Sequence, residues 1–171
     1  MTSDEVRVML VDDSAVIRGL IARMIEGEPG LCVAASVGNG QMAVDRLKAH
    51  PVDVIILDIE MPVMDGLTAL PKLLEVKPDV KIIMASTLTE KNAEISLRAL
   101  QAGATDYVPK PTATREISGS DTFKQELLEK IRQLGLVSRR AASTPDAATA
   151  SPVPKERMAK PLYDKQVQLR T

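Results

Sequence analysis

VRVMLVDDSAVIRGLIARMI, residues 6–25, sets the pattern for the whole chain. Val6 to Val11 is a short run, apolar but for Arg7, of the length and β-branched content of a buried strand. Two aspartates interrupt it. From Ser14 to Ile25 the apolar residues Val16, Ile17, Leu20, Ile21, Met24 and Ile25 return at three- and four-residue spacing, which is the stripe of a helix lying on a core. The order is strand, polar turn, helix.

Working outward, the same unit repeats. Apolar runs at Leu31–Val37, Val54–Leu57, Val80–Ala85 and Thr105–Val108 are each entered from a polar or glycine-containing stretch. Between and after them, helical patterns occupy 41–49, 66–77, 91–101 and Phe123–Leu134. Five strands alternating with five helices imply right-handed crossovers, a parallel sheet and helices on both faces, so the fold class is α/β. Pro71 lies inside the third helical pattern. It removes a backbone donor there, which predicts a helix that starts late, near Ala69, or a kinked one.

A parallel sheet of this kind builds its site in the crevice beyond the carboxyl ends of its strands. Asp12 and Asp13 follow strand one, Asp58 follows strand three, Ser86 and Thr87 follow strand four, and Lys110 follows strand five. Three carboxylates, hydroxyls and one ammonium therefore converge. Carboxylates so close raise one another's pKa unless a cation holds them, and a hard divalent ion with oxygen ligands fits. Mg²⁺ suits best, because it tolerates few carboxylates and keeps positions for water and a phosphoryl oxygen. Asp58 then reads as a nucleophile toward phosphorus, with Lys110 and Ser86 meeting the phosphoryl oxygens, and the product is a labile acyl phosphate. Taken singly, each piece has a plainer reading: an Asp pair caps a helix, and a lone Asp opens a polar loop. The joint placement at one end of consecutive strands favours the chemical one.

Composition sorts the rest of the chain. From Leu136 to Thr171 seven Lys or Arg stand against three Asp or Glu, so the tail is basic by four charges and the body before it acidic by five. Ala141–Pro154 (AASTPDAATASPVP) has almost no large apolar side chain and reads as a linker. Lys155–Arg170 carries Met158, Leu162, Tyr163, Val167 and Leu169, enough apolar surface to dock on a further domain. A single cysteine, Cys32, excludes an internal disulfide and fits a reducing compartment. The start MTSDEV lacks the pattern of a signal peptide and no segment has the ~20 apolar residues of a membrane helix, so a cytoplasmic protein without membrane insertion is expected. A dinucleotide enzyme would need a glycine-rich loop where DDSAV stands, and the tail is too short and Pro/Ala-rich for a helix-turn-helix, so no nucleic-acid partner is expected.

MLVDDSAVIR, VIILDIEMPVMDG, IIMASTLTE and ATDYVPKP together resemble the response-regulator receiver domains over about residues 5–135. The resemblance implies a flavodoxin-like (βα)5 fold with strand order 2-1-3-4-5. It also implies that Asp12 and Asp13 bind Mg²⁺ with Asp58 and the backbone carbonyl of Glu60, that Asp58 is the phosphorylated residue, and that Ser86 and Lys110 contact the phosphoryl group. Tyr107 falls where receivers place an aromatic that switches with Ser86, Glu60 and Thr87 where they tune hydrolysis, and the Lys110–Pro111 bond where a cis peptide is usual. STLTEKNAEISLRAL and the polar stretch TATREISGSDTF are similar to the receiver half of chemotaxis protein-glutamate methylesterases (CheB family). That likeness implies a receiver at 1–135, a largely flexible linker at 136–171, a chemotaxis histidine kinase as donor, and a C-terminal methylesterase domain acting on chemoreceptors. No G-x-S-x-G elbow occurs, and the sole histidine, His50, reads as a solvent-facing helix end, so these residues lack the esterase's own machinery. The alternative is a stand-alone receiver serving as a binding switch or phosphate sink.

Overall fold

The computed structural model describes residues 5–87, 89–110 and 121–143. Strands β1 (Val6–Val11), β2 (Leu31–Val37), β3 (Val54–Asp58), β4 (Lys81–Thr87) and β5 (Asp106–Lys110) alternate with helices α1 (Ala15–Glu26), α2 (Gly40–Ala49), α3 (Gly66–Val76), α4 (Glu90–Gln101) and α5 (Asp121–Ser143). All strand pairs are parallel and their order is β2-β1-β3-β4-β5. That is the order the receiver resemblance implied.

Two cores lie on the two faces of this sheet, and the two-residue period of the strands divides them. Met9, Val11, Ile55, Leu57, Ile82 and Met84 point to the face that packs with α2 and α3. Val8, Leu10, Val54, Ile56, Ile83 and Ala85 point to the other, under α1 and α5. β3 is central, and every residue of it is buried.

Local chemistry fixes where the helices start. Ser14, Asn39, Asp65 and Thr89 each accept a hydrogen bond from a backbone N–H in the first turn of α1, α2, α3 and α4 respectively. α3 begins at Gly66, not near Ala69. Asp65 caps it there, and Pro71 sits on the exposed face, where the carbonyl that loses its amide partner can meet water. α5 also departs from expectation: it runs on to Ser143, well past Leu134. Gly135 stays within the helix, and a Cβ there would strike the Val6 side chain, so the glycine permits close packing on β1. The compact unit containing the sheet reaches Ser138. Pro111, most of the stretch TATREISGSDTF, most of the expected linker and the Lys155–Arg170 segment lie outside the described residues. Among the described residues no helix is long and apolar enough to cross a membrane.

Candidate phosphoryl-acceptor site

The site grows from the strand ends. Asp12 leaves β1 buried, at 5% exposure, while Asp13 next to it is exposed. Asp12 Oδ1 accepts the Ser14 N–H at 2.9 Å, and its backbone carbonyl accepts Arg18 Nη1–H at 2.6 Å. Arg18 Nε–H in turn donates to Ser36 Oγ at 3.0 Å, tying α1 to β2 around this aspartate. Asp58 ends β3, and its Oδ1 accepts the Ile59 N–H at 2.9 Å. Gly66 closes the following loop by donating its N–H to the Ile59 carbonyl at 2.8 Å. Any Cβ on Gly66 would collide with the Asp58 carbonyl oxygen, so only glycine lets the loop pass this close. Val63 in the same loop takes φ 68°, a conformation that a β-branched residue rarely adopts.

Lys110, the last residue of β5, reaches back between the carboxylates. Its Nζ lies 2.7 Å from Asp12 Oδ2 and 3.4 Å from Asp58 Oδ1, with all three side chains almost wholly buried. One carboxylate oxygen from each of Asp12, Asp13 and Asp58 falls within 4.8 Å of the others. Burial pushes the Asp58 carboxyl up to about 6; Lys110 opposes the shift and Asp12 adds to it. Burial alone would lower the Lys110 ammonium, but Asp58 and Asp12 outweigh it and its pKa is raised. The pocket therefore keeps its one ammonium charged and is still short of positive charge.

A cavity of about 250 Å³ opens above Asp58, walled by Asp13, Glu60, Ser86, Thr87, Asn92 and Lys110. Ser86 is buried in this wall; Glu60 is exposed and pairs with Lys91 of α4 at 3.8 Å. The donor set is all oxygen plus one ammonium, and its carboxylates lack countercharge. Both features fit a hard divalent cation. Tyr107 does not join this wall: its ring is 39% exposed on β5. His50 caps the C-terminus of α2, exposed and before β3 begins, at the opposite end of the sheet from Asp58. Arg18 and Asn92 were not singled out from the sequence. Asn92 was legible, because with Ser96 and Ala99 it occupies the buried stripe of α4, where a polar residue needs a reason.

Comparison with known proteins agrees with this geometry. The family model described as "Response regulator receiver domain" matches residues 8–120. The chain belongs to the response regulator receiver domain family. Within that family it is a receiver of the CheB methylesterase type. It is 39% identical to the response regulator domain of Thermotoga maritima CheB, with a TM-score of 0.67 over 77% of this chain and 97% of that one. It is 61% identical over 158 residues to a protein-glutamate methylesterase/protein-glutamine glutaminase of group 2 operon from Rhodospirillum centenum, covering 88% of this chain and 40% of the relative. Its counterpart in Azospirillum brasilense is 66% identical over 140 residues, covering 82% and 36%. A Borrelia burgdorferi structure described as a CheX–CheY–BeF3–Mg complex shares 26% identity, with a TM-score of 0.63 over 75% of this chain and 88% of that one. The chain thus spans about two fifths of the length of these curated relatives.

Proposed function

We propose that Asp58 accepts a phosphoryl group from a chemotaxis histidine kinase and that its phosphorylation governs a methylesterase/glutaminase domain C-terminal to the receiver. The observation that carries this reading is the Asp58 carboxylate at the floor of an open cavity, with the Lys110 ammonium 3.4 Å away and Asp12 and Asp13 beside it. In the transfer, an Asp58 oxygen forms the new O–P bond as the P–N bond to the donor histidine breaks. The departing imidazole keeps the electron pair of that bond. Lys110 and the Ser86 hydroxyl meet the phosphoryl oxygens. Asp12, Asp13, Asp58 and the Glu60 backbone carbonyl would hold Mg²⁺, which when bound neutralises the carboxylates and the phosphoryl charge. Water later cleaves the acyl phosphate, with Glu60 and Thr87 setting its access, so the state is timed.

On this reading residues 1–135 form the receiver and 136–171 the linker toward the hydrolase, whose substrates are chemoreceptors, in the cytoplasm, with α5 carrying on into the start of that linker. Ser86 and Tyr107 act as the switch that reports phosphorylation. The Tyr107 side chain is part-exposed on β5. The test is labelling of Asp58 by a small phosphodonor in Mg²⁺: Asp58→Asn and chelation should each abolish it. Labelling that persists in Asp58→Asn sinks the assignment. Linkage to an esterase is tested separately, by joining the chain to a relative's hydrolase domain and asking whether phosphorylation raises methyl-ester hydrolysis.

A further inference from the structure

Asn92 is the third residue of α4, in a turn whose other members, Glu90, Lys91 and Ala93, are exposed; Asn92 alone is buried, at 5% exposure. Its backbone N–H donates to the capping Thr89 Oγ1 at 3.0 Å. Its side-chain amide turns back along the chain and donates twice to Thr87, to the carbonyl at 3.0 Å and to Oγ1 at 3.2 Å. The Thr87 hydroxyl oxygen is thereby used as an acceptor, and its proton is left for another partner. Thr87 and Asn92 line the same cavity as Asp58, Ser86 and Lys110. Asn92 Oδ1 is buried with no hydrogen-bond partner among the described residues. A buried amide with half its capacity unused is poorly explained as a device for stability alone.

We propose that Asn92 is a positioning residue for the acceptor pocket: it holds Thr87 so that the hydroxyl proton faces the bound phosphoryl group, and it ties the first turn of α4 to that group's presence. Asn92 itself touches neither Asp58 nor the phosphoryl oxygens; it works through Thr87. The proposal rests on the reading of Asp58 as phosphoacceptor, and extends it to a residue outside the strand ends.

The test uses the full chain in Mg²⁺ with beryllofluoride, a stable mimic of the phosphoryl group, and follows the bound fluoride by ¹⁹F NMR. Asn92→Ala and Thr87→Val should each weaken binding about tenfold, the scale of one lost hydrogen bond. The double variant should bind no worse than either single one, because both remove the same contact. Thermal melting checks that each variant folds. Asn92→Asp, of similar volume but unable to donate, repeats the test if alanine unfolds the domain, and should also weaken binding. Wild-type affinity in the Asn92 variants, or single losses that add in the double variant, overturns the proposal. If the unaltered chain binds no beryllofluoride, the phosphoacceptor reading fails and takes this proposal with it; binding by the unaltered chain and by Asn92→Ala alike removes only the role of Asn92.

Discussion

Replacing Asp58 by asparagine should make the domain more stable, and by an amount that depends on pH. The folded carboxyl titrates at about 6 against an ordinary value of 3.8, and asparagine mimics its protonated form. A folded pKa raised above the unfolded one means that the native state holds the proton more tightly. The carboxyl's favourable contribution is then complete below pH 3.8 and lost as pH rises through 6. At pH 7 ionised Asp58 therefore costs the native state about 3 kcal/mol, taking about 1.4 kcal/mol per unit, and the cost falls steadily as the pH is lowered toward 4. Urea denaturation of both proteins in chelator, at pH values from 7 down to 4, measures the differences directly. Comparing them at the same pH cancels the titration of every other group to first order. Asp58→Asn should lead by about 2–3 kcal/mol at pH 7, and the lead should shrink steadily toward pH 4. Equal stability at pH 7, or a lead that does not change with pH, would refute the argument that burial penalises the ionised Asp58 carboxylate.

Lys110→Met should have the opposite sign, since it strips the one close ammonium from Asp12 and Asp58; a loss of about 3–5 kcal/mol at pH 7 is expected, smaller at pH 4.5 as the carboxylates take up protons. The same urea experiment checks it, and a loss independent of pH counts against it. Gly66→Ala should cost about 1–3 kcal/mol and slow labelling by a small phosphodonor, because the new methyl displaces the Asp58 carbonyl; unaltered labelling kinetics would show that the loop can give way. Val63→Asn should raise stability by about 1 kcal/mol, as asparagine tolerates positive φ and the valine side chain, 83% exposed, loses little packing. A thermal midpoint that falls or stays put would contradict this.

The strand-end rule made most of the site readable. Asp12, Asp13, Asp58, Ser86, Thr87 and Lys110 follow apolar runs whose direction is dictated by the alternation of strands and helices, and direction alone decides which ends share a crevice. Features that depend on distances between elements were not readable in this way. The helical pattern ended at Leu134, before Gly135; that glycine's close packing on Val6 is a tertiary fact. Pro71 looked disruptive because the sequence does not state which face of α3 meets water. Arg18 lay on the apparently ordinary surface of α1, and nothing local predicts that its guanidinium spans from the Asp12 carbonyl to Ser36. Tyr107 was placed by the receiver resemblance, whereas its exposure on the edge strand β5 follows from the strand order.

The double-sided burial of β3 has a mechanical consequence. Val54, Ile55, Ile56 and Leu57 are each at most 4% exposed, clamped by neighbours on both faces and by ladders on both edges, so the strand that presents Asp58 is held on every side. A load applied at its tip cannot be relieved by moving the tip. Compliance has to come from the rim, where β4 emerges at Thr87 and is fastened by a few polar bonds instead of a core. On the proposed function, chemistry at the rigid point would be felt as displacement at the soft one.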